Sequence, residues 1–310
     1  MNRIAVIAIG GNSLVRDDAH QAVEDQYDAI CETAKSIAGM IEQGYEVIIT
    51  HGNGPQVGFI LRRSDIAHEV AGMHRVPLAS CGADTQGAIG YQIQQALDNE
   101  FRRRGMDKTA VTLVTQVVVD KNDPAFMNPT KPIGSFYTQE QYEKIQQEHP
   151  EWVMISDAGR GYRRVAPSPL PQEIVEADCI KKLVKEGYCL IAVGGGGIPV
   201  IRQPDGSLKG MDAVIDKDFA ASLLAVQIKA NVLVISTAVP KVFLNYGKPN
   251  EKPLDNVTLA ELKQYVLEGH FAPGSMLPKV QAVIGFLEDG GEKAVITNPE
   301  SLEDAIAERT

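Results

Sequence analysis

Short apolar runs alternate with segments of helical periodicity almost throughout the 310-residue chain. Ile4 to Ile9 is the first run, residues 22–44 repeat apolar side chains every three or four positions, and residues 47–50 are apolar again. This alternation is typical of a mainly parallel sheet that is covered by helices on both faces. The sequence therefore predicts an α/β protein, a three-layer αβα sandwich.

The same pattern continues towards the C-terminus. It predicts strands at 111–119, 189–193, 232–235 and 294–297, and helices at 86–104, 173–186, after Asp218, from Thr258, from Ser275 and from Pro299. Pro204-Asp205-Gly206 predicts a tight turn. Thr258 and Glu261 have the spacing of a capping box.

The segment from Asp120 to Pro171 interrupts this alternation. It contains seven of the 17 prolines and the only tryptophan. An irregular loop of this length is unusual inside a compact domain. We therefore expect a small inserted subdomain or lid, which protrudes from the main sheet.

The charge of the chain limits its partners. It has 40 acidic and 30 basic side chains, which give a formal net charge of -10. Such a surface repels nucleic acid and anionic lipid. The sequence has no apolar run of the 18 or so residues that a membrane span needs. The four cysteines lack metal-ligand spacing, so we expect reduced thiols and a cytoplasmic location.

Three glycine clusters directly follow predicted strands. They are Gly10-Gly11-Asn12, Gly52-Asn53-Gly54 and Gly194 to Gly197. In a parallel sheet all three would lie at the carboxyl edge, where bare backbone amides can approach phosphate oxygens. The alternative is that these glycines only make tight turns between strands and helices. Three such turns on one edge favour a phosphate site.

The common nucleotide motifs are absent from the sequence. There is no G-x-x-x-x-G-K-[ST], and residues 52–58 miss G-x-G-x-x-G by one position. No acidic residue follows at a strand end to bind a ribose, because residues 68–77 have no strand pattern. An NAD(P)-dependent oxidoreductase is therefore the weaker alternative.

Three lysines have neighbours that suit phosphoryl transfer. Lys217 stands between Asp216 and Asp218 before a helix, Lys279 lies in the first turn of another, and Lys131 is flanked by prolines. Positioned cations neutralise the charge on the moving phosphoryl oxygens. The alternatives are a solvated capping cluster at 216–218 and ordinary surface lysines elsewhere.

These segments together resemble the carbamate kinases, which have the amino-acid kinase fold. The matching segments, in the same order along nearly the whole chain, are residues 9–12, 50–58, 128–136, 157–164, 193–199, 216–220 and 269–279. Residues 128–136 are particular to carbamate kinases among their relatives. Ser13, Asp84 and Pro240 depart from the usual pattern of the family.

The resemblance implies an activity and a set of site residues. The activity is reversible phosphoryl transfer between carbamoyl phosphate and MgADP, which gives ATP and carbamate. The implied catalytic residues are Lys131, Lys217, Asp218 and Lys279, with Asp218 orienting the lysines. The implied substrate and phosphate site consists of Gly10, Gly11, Asn12, Gly52, Asn53, Gly54, Gly195 and Gly196. The implied nucleotide site consists of Ala238, Val239, Lys241, Val242, Gly274, Ser275 and Met276.

The resemblance also implies how these residues are organised. Residues 1–172, including the lid at 120–171, would bind carbamate and carbamoyl phosphate, and residues 173–310 would bind the nucleotide. Mg2+ would be held by the ATP or ADP phosphates rather than by the protein, and the chain would form a homodimer that acts on small molecules. Carbamate is already an oxyanion, so no general base is expected. A catalytically silent nucleotide-binding relative is the other alternative, but it should have lost one of the three lysines.

Overall fold

The computed structural model describes residues 3–10, 22–157 and 160–307. Its strands are β1 (Arg3–Ile9), β2 (Tyr45–His51), β3 (Ala110–Thr112), β4 (Gln116–Val119), β5 (Lys131–Tyr137), β6 (Met154–Asp157), β7 (Gly161–Ala166), β8 (Pro171–Ile174), β9 (Cys189–Ile191), β10 (Ile198–Arg202), β11 (Leu208–Gly210), β12 (Val232–Ser236), β13 (Val242–Leu244), β14 (Lys252–Leu254) and β15 (Lys293–Thr297). Its α-helices are α1 (Val23–Glu42), α2 (Gln56–Ala71), α3 (Leu78–Arg104), α4 (Gln139–Glu148), α5 (Ala177–Lys185), α6 (Lys217–Ile228), α7 (Leu259–Leu267), α8 (Met276–Glu288) and α9 (Leu302–Ile306). Short 3-10 turns lie at Pro124–Phe126, Gly194–Gly196 and Pro299–Ser301.

The main sheet has six strands in the order β15-β12-β1-β2-β9-β3, and all its pairs are parallel. Side chains of the central strand β1 alternate between two cores: Val6 and Ala8 pack with α5 to α8, while Ala5, Ile7 and Ile9 pack with α1, α3 and α9. Complete burial of one such aliphatic side chain stabilises the fold by about 1.5–3 kcal/mol. Helices therefore cover both faces, and the predicted three-layer sandwich is confirmed.

A second sheet and a hairpin extend this framework. Strands β11-β10-β4-β8 form a four-stranded sheet, and β13 pairs with β14. The predicted turn at 204–206 connects β10 to β11, and Gly206 has a left-handed φ of 85° there. Among the described helices, none has the length and apolar character that a membrane crossing requires.

Residues 120–171 contain a small sheet of their own. Strands β5, β7 and β6 pair antiparallel, and α4 lies between β5 and β6 in the chain. The small sheet packs closely on α2, since a Cβ added to Gly58 would lie 3.1 Å from the Cα of Gly134. At its base, Lys131 pairs with Ala166 in the β5–β7 ladder. The segment thus has regular structure, and its role as a lid stays a prediction.

The predicted helix boundaries were partly wrong. Helix α2 was not predicted, and α3 begins at Leu78 rather than near residue 86. The buried residues of α2 include polar Ser64 and Asp65 beside apolar Val57 and Leu61, which pack against α3 and the small sheet, so its apolar periodicity is weak. The predicted helix at 173–186 begins only at Ala177, since residues 171–174 form β8 against β4.

The single strand predicted at 111–119 is also a correction. The structure divides it into β3 in the main sheet and β4 in the second sheet. Between them, Gln86 of α3 donates from Nε2 to the carbonyl of Thr115 (3.1 Å) and accepts from the Thr115 amide (2.8 Å). A side chain thus satisfies backbone groups that a neighbouring strand would otherwise bind.

Candidate active site

The glycine turns meet at one edge of the main sheet. β1, β2 and β9 are neighbours and run parallel, so the turns that follow them lie side by side. Gly10 follows β1 and contacts the end of β12, because a Cβ there would lie 3.0 Å from the carbonyl oxygen of Ser236. Gly52 donates its amide to the carbonyl of Ile9 (3.1 Å). Gly11 and Asn12 lie outside the described residues.

The turn at 194–197 is buried beneath these other turns. A Cβ added to Gly195 would lie 2.3 Å from Nδ2 of Asn53, and one added to Gly196 would lie 2.3 Å from the carbonyl oxygen of Ile215. Both glycines have a positive φ, at 67° and 90°. The packing of the neighbouring turns therefore requires glycine at both positions. The turn at 52–54 is nearer the solvent, since Gly52 and Asn53 are half-buried and Gly54 is exposed.

We expect Gly196→Ala to destabilise the protein by about 3 kcal/mol or more, because it adds a backbone clash to a left-handed φ. Gly206→Ala is the matched control, since Gly206 has a φ of 85° but nothing within 4 Å of its added Cβ. That control should lose only about 1–2 kcal/mol. Urea denaturation of both variants measures the difference, and equal losses would contradict this account of the turn.

His51 contacts two of the same glycine turns. Its Nδ1 lies 2.8 Å from the carbonyl oxygen of Gly52, so Nδ1 carries the proton and donates it. Burial lowers the pKa of His51 to about 4, although the bond to Gly52 opposes this. The ring also occupies the space beside Gly194, where a Cβ would lie 2.3 Å from Nε2. His51 is thus a neutral residue that packs against the glycine turns.

Two predicted lysines converge on one buried carboxylate. Lys217 Nζ donates to Asp218 Oδ1 at 2.5 Å, and Lys279 Nζ donates to Asp218 Oδ2 at 2.8 Å. Lys217 lies at the start of α6, and Lys279 lies in the first turn of α8. Asp218 therefore links the two helices. The Asp218 side chain is only 4% exposed. Asp218 therefore binds both lysines, and its orienting role in the reaction stays a prediction.

The electrostatics of this trio favour its charged form. Burial alone would raise the pKa of Asp218, but Lys217 and Lys279 outweigh burial and hold that pKa below its ordinary value. Burial lowers the pKa of Lys217, and Asp218 opposes this effect while Lys279 adds to it. A buried carboxylate between two lysines stays ionised, and the lysines keep their positions before any anion arrives.

Lys131 joins the cluster through a residue that sequence analysis did not assign. Its Nζ donates to Asp216 Oδ2 at 2.7 Å, across 85 positions of the chain. Asp216 is also the N-cap of α6, where its Oδ1 accepts from the amide of Asp218 at 2.9 Å. Since Ile215 packs on Gly196, the turn that carries Asp216 lies directly against the glycine turns. The only sequence signal was a pair of acids flanking Lys217.

Asn53 binds a side chain of α3, a contact that the sequence did not reveal. Its Nδ2 donates to Thr85 Oγ1 at 3.3 Å, and Thr85 in turn donates to the carbonyl of Gly82 at 2.6 Å. Gln86, the next residue, donates to the carbonyl of Gly194 at 2.9 Å. One turn of α3 therefore holds two of the glycine turns together.

The predicted nucleotide residues lie in two separate segments of the chain. Residues 238–242 follow β12, and residues 274–276 open α8. Lys241 is engaged by Asp255, and Ser275 precedes α8 without a side-chain cap bond. A cavity of about 520 Å³ lies beside β15, and the described residues that line it include Lys241 and Val242 but none of the three lysines of the cluster.

The positions that depart from the family pattern lie in different places. Asp84 is exposed on α3, one residue before Thr85. The carbonyl of Pro240 accepts a hydrogen bond from Thr297 Oγ1 at 3.0 Å. Ser13 is outside the part of the chain that the structure describes. Neither Asp84 nor Pro240 contributes a side chain to the lysine cluster.

Comparison with known proteins places this arrangement in a family. The sequence model of the amino acid kinase family matches residues 3–298. The carbamate kinase-like protein YahI of Escherichia coli is 52% identical over 310 residues, 100% of this chain and 98% of that protein. Carbamate kinase of Thermococcus kodakarensis is 51% identical over 311 residues, with the same coverage of 100% and 98%.

A solved structure gives the same result. Carbamate kinase from Giardia lamblia bound to AMP-PNP superposes with a TM-score of 0.94 at 41% identity, and covers 99% of this chain and 96% of that one. The chain therefore belongs to the amino acid kinase family, a family of phosphotransferases, and within it to the carbamate kinases.

Proposed function

We propose that the chain transfers a phosphoryl group reversibly between carbamoyl phosphate and MgADP, which gives ATP and carbamate. The observation that carries the proposal is the convergence of three lysines, from β5, α6 and α8, on two aspartates beside the glycine turns. Such an arrangement presents fixed positive charge to a moving phosphoryl group, which is the main requirement of this chemistry.

The reaction needs no proton carrier from the protein. An oxygen of the ADP β-phosphate forms a bond to phosphorus as the bond between phosphorus and the carbamoyl oxygen breaks. The leaving oxygen keeps the electron pair, so carbamate departs as an oxyanion. In this proposal Lys217 and Lys131 neutralise the transferred group, Lys279 reaches the nucleotide phosphates, and Asp218 orients Lys217 and Lys279.

We assign the remaining predicted residues to the surroundings of this centre. We assign Gly10, Gly52, Asn53 and Gly54 to the substrate and transferred phosphoryl group, with Gly195 and Gly196 supporting them from below. Gly11 and Asn12 belong to the same proposed site. The nucleotide would lie across residues 238–242 and 274–276, and residues 1–172 and 173–310 would form the two binding lobes, with 120–171 as the lid.

Mg2+ would be held by the nucleotide rather than by the protein. Among the described residues, no group of three or more His, Cys, Asp or Glu is arranged to hold a metal ion. The two carboxylates of the cluster are already bound by lysines. This donor set fits an ion carried in by phosphate oxygens, as is usual for Mg2+. The bound ion would supply further positive charge to the phosphates.

We also propose a cytoplasmic homodimer. The end of α2 exposes Ile66 and Val70, Met73 follows the helix, and α3 exposes Tyr91. A second copy that covered these apolar side chains would remove them from water.

The substrate range separates this proposal from its alternatives. We expect saturable formation of ATP from MgADP with carbamoyl phosphate, and much slower formation with acetyl phosphate or the acyl phosphates of amino acids. A luciferase assay for ATP, with enzyme-free controls for spontaneous breakdown, measures all of these in parallel. If ADP binds but no donor yields ATP above background, the chain is a silent relative. If another acyl phosphate is preferred, the substrate assignment is wrong.

A further inference from the structure

The two aspartates of the cluster hold their lysines in different ways. Both oxygens of the buried Asp218 are occupied by lysines that are themselves mostly buried. Asp216 uses one oxygen for the cap of α6 and the other for Lys131. The Lys131 side chain is 38% exposed and that of Asp216 is 20% exposed. Lys131 is therefore the lysine that can most readily exchange its carboxylate for another anion.

The backbone near Lys131 is held beside Asp216. Lys131 pairs with Ala166, the last residue of β7. The carbonyl of the following residue, Pro167, accepts a hydrogen bond from the amide of Val214 at 2.9 Å. The base of the small sheet is thus tied to the segment that leads into Asp216. A change of partner by Lys131 then requires only rotation of its long side chain.

We propose that Asp216 is a positioning residue that holds Lys131 in the ligand-free protein and gives it up to the phosphoryl group of the substrate. The inference rests on the proposed function, because it names the partner that Lys131 exchanges during that reaction. Asp216 and the phosphoryl anion compete for one lysine. The pair keeps Lys131 at the site, and it weakens anion binding by the amount needed to break a partly exposed ion pair, about fivefold.

The test removes the charge of Asp216 but keeps its cap. In Asp216→Asn the amide oxygen can still accept from the amide of Asp218, since Asn caps a helix as well as Asp does. We expect the Kd of inorganic phosphate for the ligand-free protein, measured by calorimetry, to fall about fivefold, which is what a partly exposed ion pair contributes. We expect the KM for carbamoyl phosphate to fall in the same proportion. In a Lys131→Met background the same substitution should change the phosphate Kd less than about twofold.

Asp212→Asn is the matched control. It removes the same charge from an exposed side chain four residues earlier in the chain, and its phosphate Kd should stay within about twofold of the parent. Asp216→Ser, which keeps a capping hydroxyl without charge, should repeat the effect of Asp216→Asn. The proposal is overturned if both Asp216 variants bind phosphate no more tightly than the parent, or if the gain persists without Lys131.

Phosphate binding is measured without turnover, so the two proposals can fail separately. Absence of ATP synthesis, together with the expected coupling between Asp216 and Lys131, would reject the activity and support the exchange. Normal ATP synthesis without that coupling would reject the exchange alone.

Discussion

Lys217→Ala should lower kcat/KM for ATP synthesis by on the order of 100-fold or more, because it removes a preorganised charge from the transferred phosphoryl group. The substitution also leaves the buried Asp218 with Lys279 as its one remaining lysine. That loss should reduce stability by a few kcal/mol at most, since one charge-assisted partner remains. We therefore expect a folded protein with a large catalytic defect, measured by steady-state kinetics and by urea denaturation of the same preparation.

Lys185→Ala is the control for this variant. Lys185 is exposed in the last turn of α5, directly before β9, so it lies at the edge of the main sheet opposite the glycine turns, and its loss should leave kcat/KM unchanged within error. An unfolded Lys217→Ala protein would show that Lys217 mainly holds the fold. A folded variant with kcat/KM within about threefold of the parent would show that Lys217 does not stabilise the transition state.

Lys131→Ala should lower turnover by on the order of 100-fold while the affinity for ADP stays nearly unchanged. The lysine comes from the small sheet, whereas the proposed nucleotide residues lie at 238–242 and 274–276. Equilibrium dialysis with ADP and steady-state kinetics separate the two effects. Lys144→Ala is the control, because Lys144 lies on α4 of the same segment and is 68% exposed. It should match the parent in both measurements.

The predicted closure of the lid has its own observable. Lys131 lies at the cluster, 2.7 Å from Asp216, so closure of the lid would act by covering the site and excluding water. Hydrogen exchange of residues 120–171 should slow when ADP and a carbamoyl phosphate analogue are bound. Equal exchange with and without ligands, together with loss of ADP binding in Lys131→Ala, would contradict the lid and place Lys131 in a fixed nucleotide site.

The elements that could be predicted from sequence are those that pack against an apolar neighbour. β1, α1 and β2 have the buried side chains that their periodicity requires, and the cap at Thr258 forms as its spacing predicts. Helix α2 could not be predicted in this way. It packs against the small sheet through a mixture of apolar and polar residues, which follows neither of the usual periodicities clearly.

The residues of the candidate site could likewise be predicted from sequence only in part. Local sequence identified Lys131, Lys217 and Lys279, because each stands beside unusual neighbours for a lysine. It could not identify the partnership of Lys131 with Asp216, since that contact depends on how the small sheet is tied to the segment before α6. The support of Gly194 by Gln86 is equally invisible in sequence, because a glutamine inside a helix has no distinctive pattern.

In the proposed reaction the lysine and aspartate cluster promotes transfer of the phosphoryl group of carbamoyl phosphate to ADP. A time course by phosphorus NMR, with carbamoyl phosphate and MgADP, follows the donor and the γ-phosphate of ATP in one sample. We expect ATP to appear one-for-one with enzyme-dependent loss of carbamoyl phosphate, and Lys217→Ala at the same concentration to form almost no ATP. Loss of carbamoyl phosphate to inorganic phosphate alone, or equal ATP formation by the parent and Lys217→Ala, would contradict the proposed reaction.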